Sequence, residues 1–334
     1  MSNKSHNFLK NSIAIVITIA VLSAAGWVVL NRQYVLDQLD FWSYKPTTAV
    51  VSIADRAGLS NQGKFYLYAS RADIETAAQF NLNCVRQEAG NAILGCYANK
   101  NIYIYDITNA QLNGVEEVTA AHEMLHAIWD RMGDADKKTI GDLLIAQYTK
   151  LNDPALNARM AYYDRTEPGQ KINELHSILG TEYPNLSPEL EAHYAKYFSD
   201  RSKVVTLHSS YEAVFNSLKE QGNTLKTQID SLKTLINSKT EQYNNEVASI
   251  NDDTTALKNS QASVDRTSQS QVNAYNAKRQ SLLDRISALD ALRTEINNQT
   301  DTYNAAVTEY NKIVVTTNDL NKSLDSTLAP TPSL

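Results

Sequence analysis

Between Gly222 and Pro330 the chain contains neither glycine nor proline. The two residue types that break helices are missing from a stretch dominated by Asn, Gln, Ser, Thr, Lys and Asp, so long helices are permitted there. Apolar residues recur at Leu225, Ile229, Leu232, Ile236, Tyr243, Val247, Ile250 and Leu257. They recur again at Leu282, Ile286, Leu289, Ile296, Tyr303, Val307, Tyr310 and Val314. Steps of three, four and seven specify a coiled coil over residues 205–325. The apolar-poor segment 251–271 lies near its midpoint, which predicts an all-α antiparallel hairpin with arms of roughly 70 Å at 1.5 Å per residue. The competing arrangement is one continuous helix that dimerises in parallel. A flexible tail is expected over 326–334.

At the other end, Ile13 to Leu30 carries no charge. About 18 apolar residues are just enough to cross a bilayer as a helix. Lys4 and Lys10 precede this run, whereas Asp37 and Asp40 follow it. By the positive-inside tendency, residues 1–11 are expected in the cytoplasm, 12–30 as a transmembrane signal anchor, and the rest outside. Cleavage after Ser23-Ala24-Ala25 is the rival, disfavoured because apolar sequence continues through Trp27, Val28, Val29 and Leu30. Tyr34, Leu39, Phe41 and Trp42 make 31–49 a juxtamembrane segment.

The formal net charge is −6 and no long basic run occurs, so a nucleic-acid partner is not expected. The only cysteines, Cys84 and Cys96, are expected to form a disulfide in an exported chain. Two reduced cysteines that never meet are the alternative.

Residues 50–204 have the composition of a mixed globular domain. "GKFYLYA" (63–69) is rich in strand formers, and "SRADIETAAQF" reads as a helix capped by Ser70. "AILGCY" and "NIYIYDI" alternate as a hairpin about Ala98-Asn99-Lys100. A helix then runs from Gly114 to near Gly133. A second is expected after Pro168-Gly169, ending at Gly180, and a third started by Ser187 and Pro188 carries His193, which with His208 reads as structural.

The first of these helices holds His122-Glu123-Met124-Leu125-His126. Residues four apart share a helix face, so both histidines can present ring nitrogens to one ion at about 2.0–2.1 Å. Glu123 can reach a water polarised by that ion, take its proton and pass it to a leaving amine. The bland reading is a core helix with two hydrogen-bonded histidines. A strand followed by this motif, with Thr119 and the uncharged Ala120, Ala121, Ala127 and Ile128 around it, resembles zinc peptidases of the zincin type. Met132 and Trp129 stand where the metzincin subclass has histidine and glycine, which excludes that subclass.

The third ligand must come from elsewhere, and "GQKINELHSILG" (169–180) is the best source. Ile172, Leu175, Ile178 and Leu179 form its apolar stripe, with Glu174 at one edge and His176 at the other. The pair Asn173-Glu174 resembles the second motif of gluzincins, which implies Glu174 as third ligand, with His176 as the alternative. Ile178 stands where thermolysin-like members carry an aspartate, so His176, Glu182 or a backbone carbonyl is left to orient a ligand ring. Tyr162 and Tyr163 are candidate oxyanion donors, although an ordinary packing role is the stronger expectation.

These readings give an α+β zincin-like catalytic domain between a transmembrane helix and a coiled-coil hairpin. The expected function is a membrane-anchored, extracytoplasmic endopeptidase using Zn2+ on a protein or peptide substrate. The strand Asn101 to Ile107 would bind substrate by edge pairing, and the coiled coil would engage a cell-envelope protein. The alternatives are a non-catalytic envelope scaffold and a peptidoglycan or cross-bridge amidase.

Overall fold

The computed structural model describes residues 2–85 and 92–328, with side chains described from Ile15 onward. The chain divides into two compact units, one of residues 1–214 with 320–334 and one of residues 215–319.

In the first unit, helix α1 (Ser2–Leu30) bends by 83° into α2 (Arg32–Ser43). Every described side chain of α1 from Ile15 to Val29 is exposed. Among the described residues no single helix is long and apolar enough to cross a membrane; the α1–α2 pair passes only as a bent pair. Helix α2, within the segment read as a juxtamembrane collar, is built into the domain. Phe41 lies against Phe65 (5.3 Å between ring centres) and Tyr68 (6.3 Å), and Tyr44 donates its hydroxyl to the Ala72 carbonyl.

The strand expected over 63–69 is instead part of helix α4 (Asn61–Ala69), which follows α3 (Thr48–Arg56). Ser60 caps α4 by accepting from the Gly63 N–H. Gly63 and Leu67, one turn apart, are both buried, and a Cβ on Gly63 would stand 2.2 Å from the Tyr197 carbonyl oxygen. Cap and close packing override the strand-like composition. Ser70 ends α4 rather than starting a helix. Strand β1 (Asp73–Glu75) follows, and only after Thr76 does α5 (Ala77–Asn83) begin.

Strands β2 (Gly95–Ala98) and β3 (Asn101–Tyr105) form the expected hairpin, with Tyr97 opposite Ile102. Its two-residue turn, Asn99-Lys100, has φ of +51° and +68°, the left-handed pair that matches strand twist. The sheet order is β1-β3-β2, with β1 parallel and β2 antiparallel to β3. β3 is therefore the central strand and has no free edge for a substrate. The free edge on the β2 side belongs to β2 itself.

Helix α6 (Val115–Arg131) starts at Gly114, whose φ of +103° favours glycine. Glu116 and Glu117 in its first turn complement the helix dipole. Helices α7 (Asp134–Leu151), α8 (Pro154–Thr166), α9 (Lys171–Glu182) and α10 (Pro188–Tyr194) follow. Helix α9 does not stop at Gly180. A Cβ there would meet Leu125 Cδ1 at 2.5 Å and the Tyr194 ring at 2.8 Å, so this glycine lets α6 and α9 pack closely. Met124, Leu125, Leu175, Ile178 and Leu179 are fully buried at that contact.

Helices α11 (Arg201–Ser260) and α12 (Gln269–Leu324) supply the second unit. Lys239 pairs with Glu295 at 2.8 Å, and Arg285 with Glu246 and Asp253 at 2.6 Å each. Rising numbers on one helix meet falling numbers on the other, so the two run antiparallel. The α11 stripe is the one read from sequence, but on α12 Ile286 and Val314 are exposed, while Ala306, Ile313 and Leu320 are buried. The tail expected to be flexible from 326 begins differently: Ser326 is 3% exposed, donates its Oγ–H to Asn81 and accepts from the Asn81 amide at its carbonyl. Residues 329–334 lie outside the described residues.

Candidate metal centre

The face of α6 not packed against the core carries His122, Glu123 and His126. Their ligand atoms all lie within 4.8 Å of one another, so the group can hold a metal ion. The two Nε2 atoms are 3.0 Å apart. His126 donates its Nδ1–H to Asn173 Oδ1 at 2.9 Å, while the Asn173 amide donates to Gln170 Oε1. In a neutral ring that bond leaves the lone pair on Nε2, facing His122. Two imidazole nitrogens aimed at each other suit a cation held between them.

Helix α9 brings Glu174 to the same point. Its carboxylate oxygens stand 3.4 Å from His126 Nε2 and 3.7 Å from His122 Nε2. Glu174 is 5% exposed, and its buried Oε2 has no hydrogen-bond partner. A buried carboxylate oxygen left unpaired is costly, and a cation at the two nitrogens would satisfy it. Two imidazoles and a carboxylate form a donor set that a divalent metal ion can use.

Charges respond accordingly. Burial opposes ionisation of Glu174, but the positive character of His126 and His122 outweighs it and holds the carboxyl below its ordinary range. Burial likewise opposes a charge on His122, yet Glu174 and Glu123 raise it above the usual imidazole value. Burial pushes Glu123 upward, Glu174 adds to this, and the two histidines and the Tyr97 N–H oppose it.

His176 does not join the group. It is fully buried, with Nε2 2.9 Å from His193 Nε2 and its ring centre 5.2 Å from Trp129. Glu182 is taken by Arg159 and lies 3.4 Å from His208. Asn173, the neighbour of Glu174 in sequence, therefore performs the ring-orienting role that sequence reasoning gave to His176, Glu182 or a carbonyl. Tyr162 and Tyr163 both face the cleft, and Tyr163 lies close enough to Glu174 to help hold it ionised.

The cleft has a volume of about 800 Å3 and is bounded by β2, α6 and the ends of α8 and α9. Cys84, which follows α5, is disulfide-bonded to Cys96 on β2, and both line it. Gly95 is a site residue that sequence reasoning missed. A Cβ there would stand 2.5 Å from Thr119 Cγ2 and 2.9 Å from Glu123 Cγ, so only glycine lets β2 lie against the α6 turn that carries Glu123. Glu167, at the end of α8, was missed too; burial raises its pKa and Glu174 raises it further. No protein-family model, curated protein or solved structure matches the chain.

Proposed function

We propose that this chain is a zinc-dependent endopeptidase, anchored in the membrane by α1 and acting on its outer face. The observation that carries the reading is the juxtaposition of two imidazole nitrogens 3.0 Å apart with an unpartnered, buried Glu174 oxygen, beside Glu123 in an open cleft.

His122, His126 and Glu174 would hold the ion. When bound, zinc polarises a scissile carbonyl and lowers the pKa of water to about 7. Glu123 takes the proton of the attacking water and returns it to the leaving amine. A carboxyl raised by burial is suited to both halves of that shuttle. Asn173 keeps the His126 Nε2 lone pair pointed inward. Tyr163 and Tyr162 line the cleft and would donate to the oxyanion. An extended peptide pairs with the free edge of β2, since both edges of β3 are taken.

The exposed apolar side chains of α1, from Ile15 to Leu30, favour burial in lipid. Helix α2 packs into the catalytic unit, so the bend between them marks where the chain leaves the bilayer. The hairpin of α11 and α12 serves as an arm for an envelope partner.

Cleavage of a peptide library by the purified chain tests the proposal. Expected is proteolysis that chelator abolishes and zinc restores, and that Glu123→Gln reduces at least 100-fold while zinc stays bound. Proteolysis unaffected by chelator or by Glu123→Gln would overturn it.

A further inference from the structure

Four carboxylates line the cleft: Glu123, Asp130, Glu167 and Glu174. Among the described residues lining it there is no lysine and no arginine. Charge can be assigned to each carboxylate in turn. Under the zinc-peptidase reading, a divalent ion on neutral imidazoles is balanced by Glu174 and Glu123. Asp130 is matched from outside the cleft by Lys100 and accepts from the Tyr97 hydroxyl. That leaves Glu167.

Glu167 follows the last turn of α8, where its backbone N–H bonds the Tyr163 carbonyl at 2.8 Å and its own carbonyl accepts from Gln170. The backbone is fixed at both ends of the residue, so its carboxylate is carried on a firm mount. The side chain is half-buried and makes no ion pair or hydrogen bond among the described residues. It lines the same cleft as Glu123, Glu174 and the two zinc-site histidines. A half-buried carboxylate that no described cation pairs with, in a cleft shared with other carboxylates, is stabilised by a cation arriving with the ligand.

We infer that Glu167 determines specificity, by selecting peptides with an amine or guanidinium side chain close to the scissile bond. This rests on the zinc-peptidase reading for the location of the scissile bond. The contact itself is an ion pair between the Glu167 carboxylate and a lysine or arginine of the substrate. Acidic residues at the same substrate position are repelled by Glu167, with no lysine or arginine among the described lining residues to offset them.

The test uses the full-length chain in detergent, zinc-loaded and carrying Glu123→Gln so that binding is read without turnover. Fluorescent octapeptides with Lys, Gln or Glu placed at each position in turn are titrated by anisotropy. Expected is at least one position where Lys binds about five-fold tighter than Gln at low salt, a preference that fades as salt rises. Glu167→Gln removes that preference and Glu167→Lys reverses it toward Glu, with zinc content and circular dichroism unchanged. Equal binding of the three peptides at every position, a Lys preference that survives Glu167→Gln, or no peptide binding at all overturns the inference. Cleavage by the wild-type chain is measured beside it. Selective binding without any cleavage would sink the peptidase reading and leave the cationic preference standing, whereas cleavage indifferent to charge would do the reverse.

Discussion

Replacing Asp37 by alanine strikes at the join between α2 and α6. Asp37 and Arg131 side chains are each 5% exposed. The guanidinium donates to both Asp37 oxygens at 2.9–3.0 Å, while Gln33 also donates to Asp37 Oδ1. Removing one partner of a buried pair leaves an uncompensated charge and costs about 3–5 kcal/mol. Arg131 keeps its bonds to the Tyr97 hydroxyl and the Ala127 carbonyl, so a loss near 3 kcal/mol is expected. For a unit of this size that lowers Tm by about 6–12 °C. Removing both charges in Asp37→Ala/Arg131→Met should recover most of the loss, because no charge is then stranded. Thermal unfolding followed by circular dichroism measures both. A Tm shift below about 2 °C for Asp37→Ala, or a double variant no better than the single one, would refute the reasoning.

Three further outcomes are expected. Burial, aided by Lys196, lowers His193 to about 4, below its unfolded value of about 6.5. The unfolded state therefore binds more protons between those values, and stability is full above about pH 6.5 and falls by about 2–3 kcal/mol as pH drops toward 4. Denaturant titration across this range should show the loss, and His193→Phe should reduce it, with His176, which burial also holds well below its usual value, carrying the remainder. Gly95→Ala should push β2 off Thr119 and Glu123 and cut kcat/KM at least ten-fold while zinc remains bound; unchanged activity would remove Gly95 from the site. Cys84→Ser with Cys96→Ser opens a loop with a sequence separation of 12, and urea denaturation should show a loss of about 3 kcal/mol.

What could be read from sequence was what is local. The His122-Glu123-His126 spacing needs one helical turn and nothing else, and the helix-permissive stretch beyond Gly222 needs only the absence of breakers. The sheet was harder. β1 has three residues, too few for alternation to register, and without it β3 reads as an edge. Residues 63–69 carry strand-like aromatics, but their helix is decided by the Ser60 cap and by the Tyr197 backbone against Gly63, a neighbour distant in sequence. Glu174 was legible because its helix carries an apolar stripe that fixes which side faces inward. Asn173 stood beside it unrecognised, since its role depends on where the His126 ring lies. Gly95 and Glu167 belong to the site only through the meeting of β2, α6 and α8, which no spacing in the chain encodes.

The central claim is that His122, His126 and Glu174 together grip one zinc ion. Elemental analysis of the full-length chain, as purified and after reconstitution with zinc, compared with His126→Ala and Glu174→Ala, tests this most directly. Expected is one zinc per chain in the wild type and loss of most of it in both variants, with their helical content intact. A wild-type chain without stoichiometric zinc after reconstitution, or full zinc retention in His126→Ala, would contradict it.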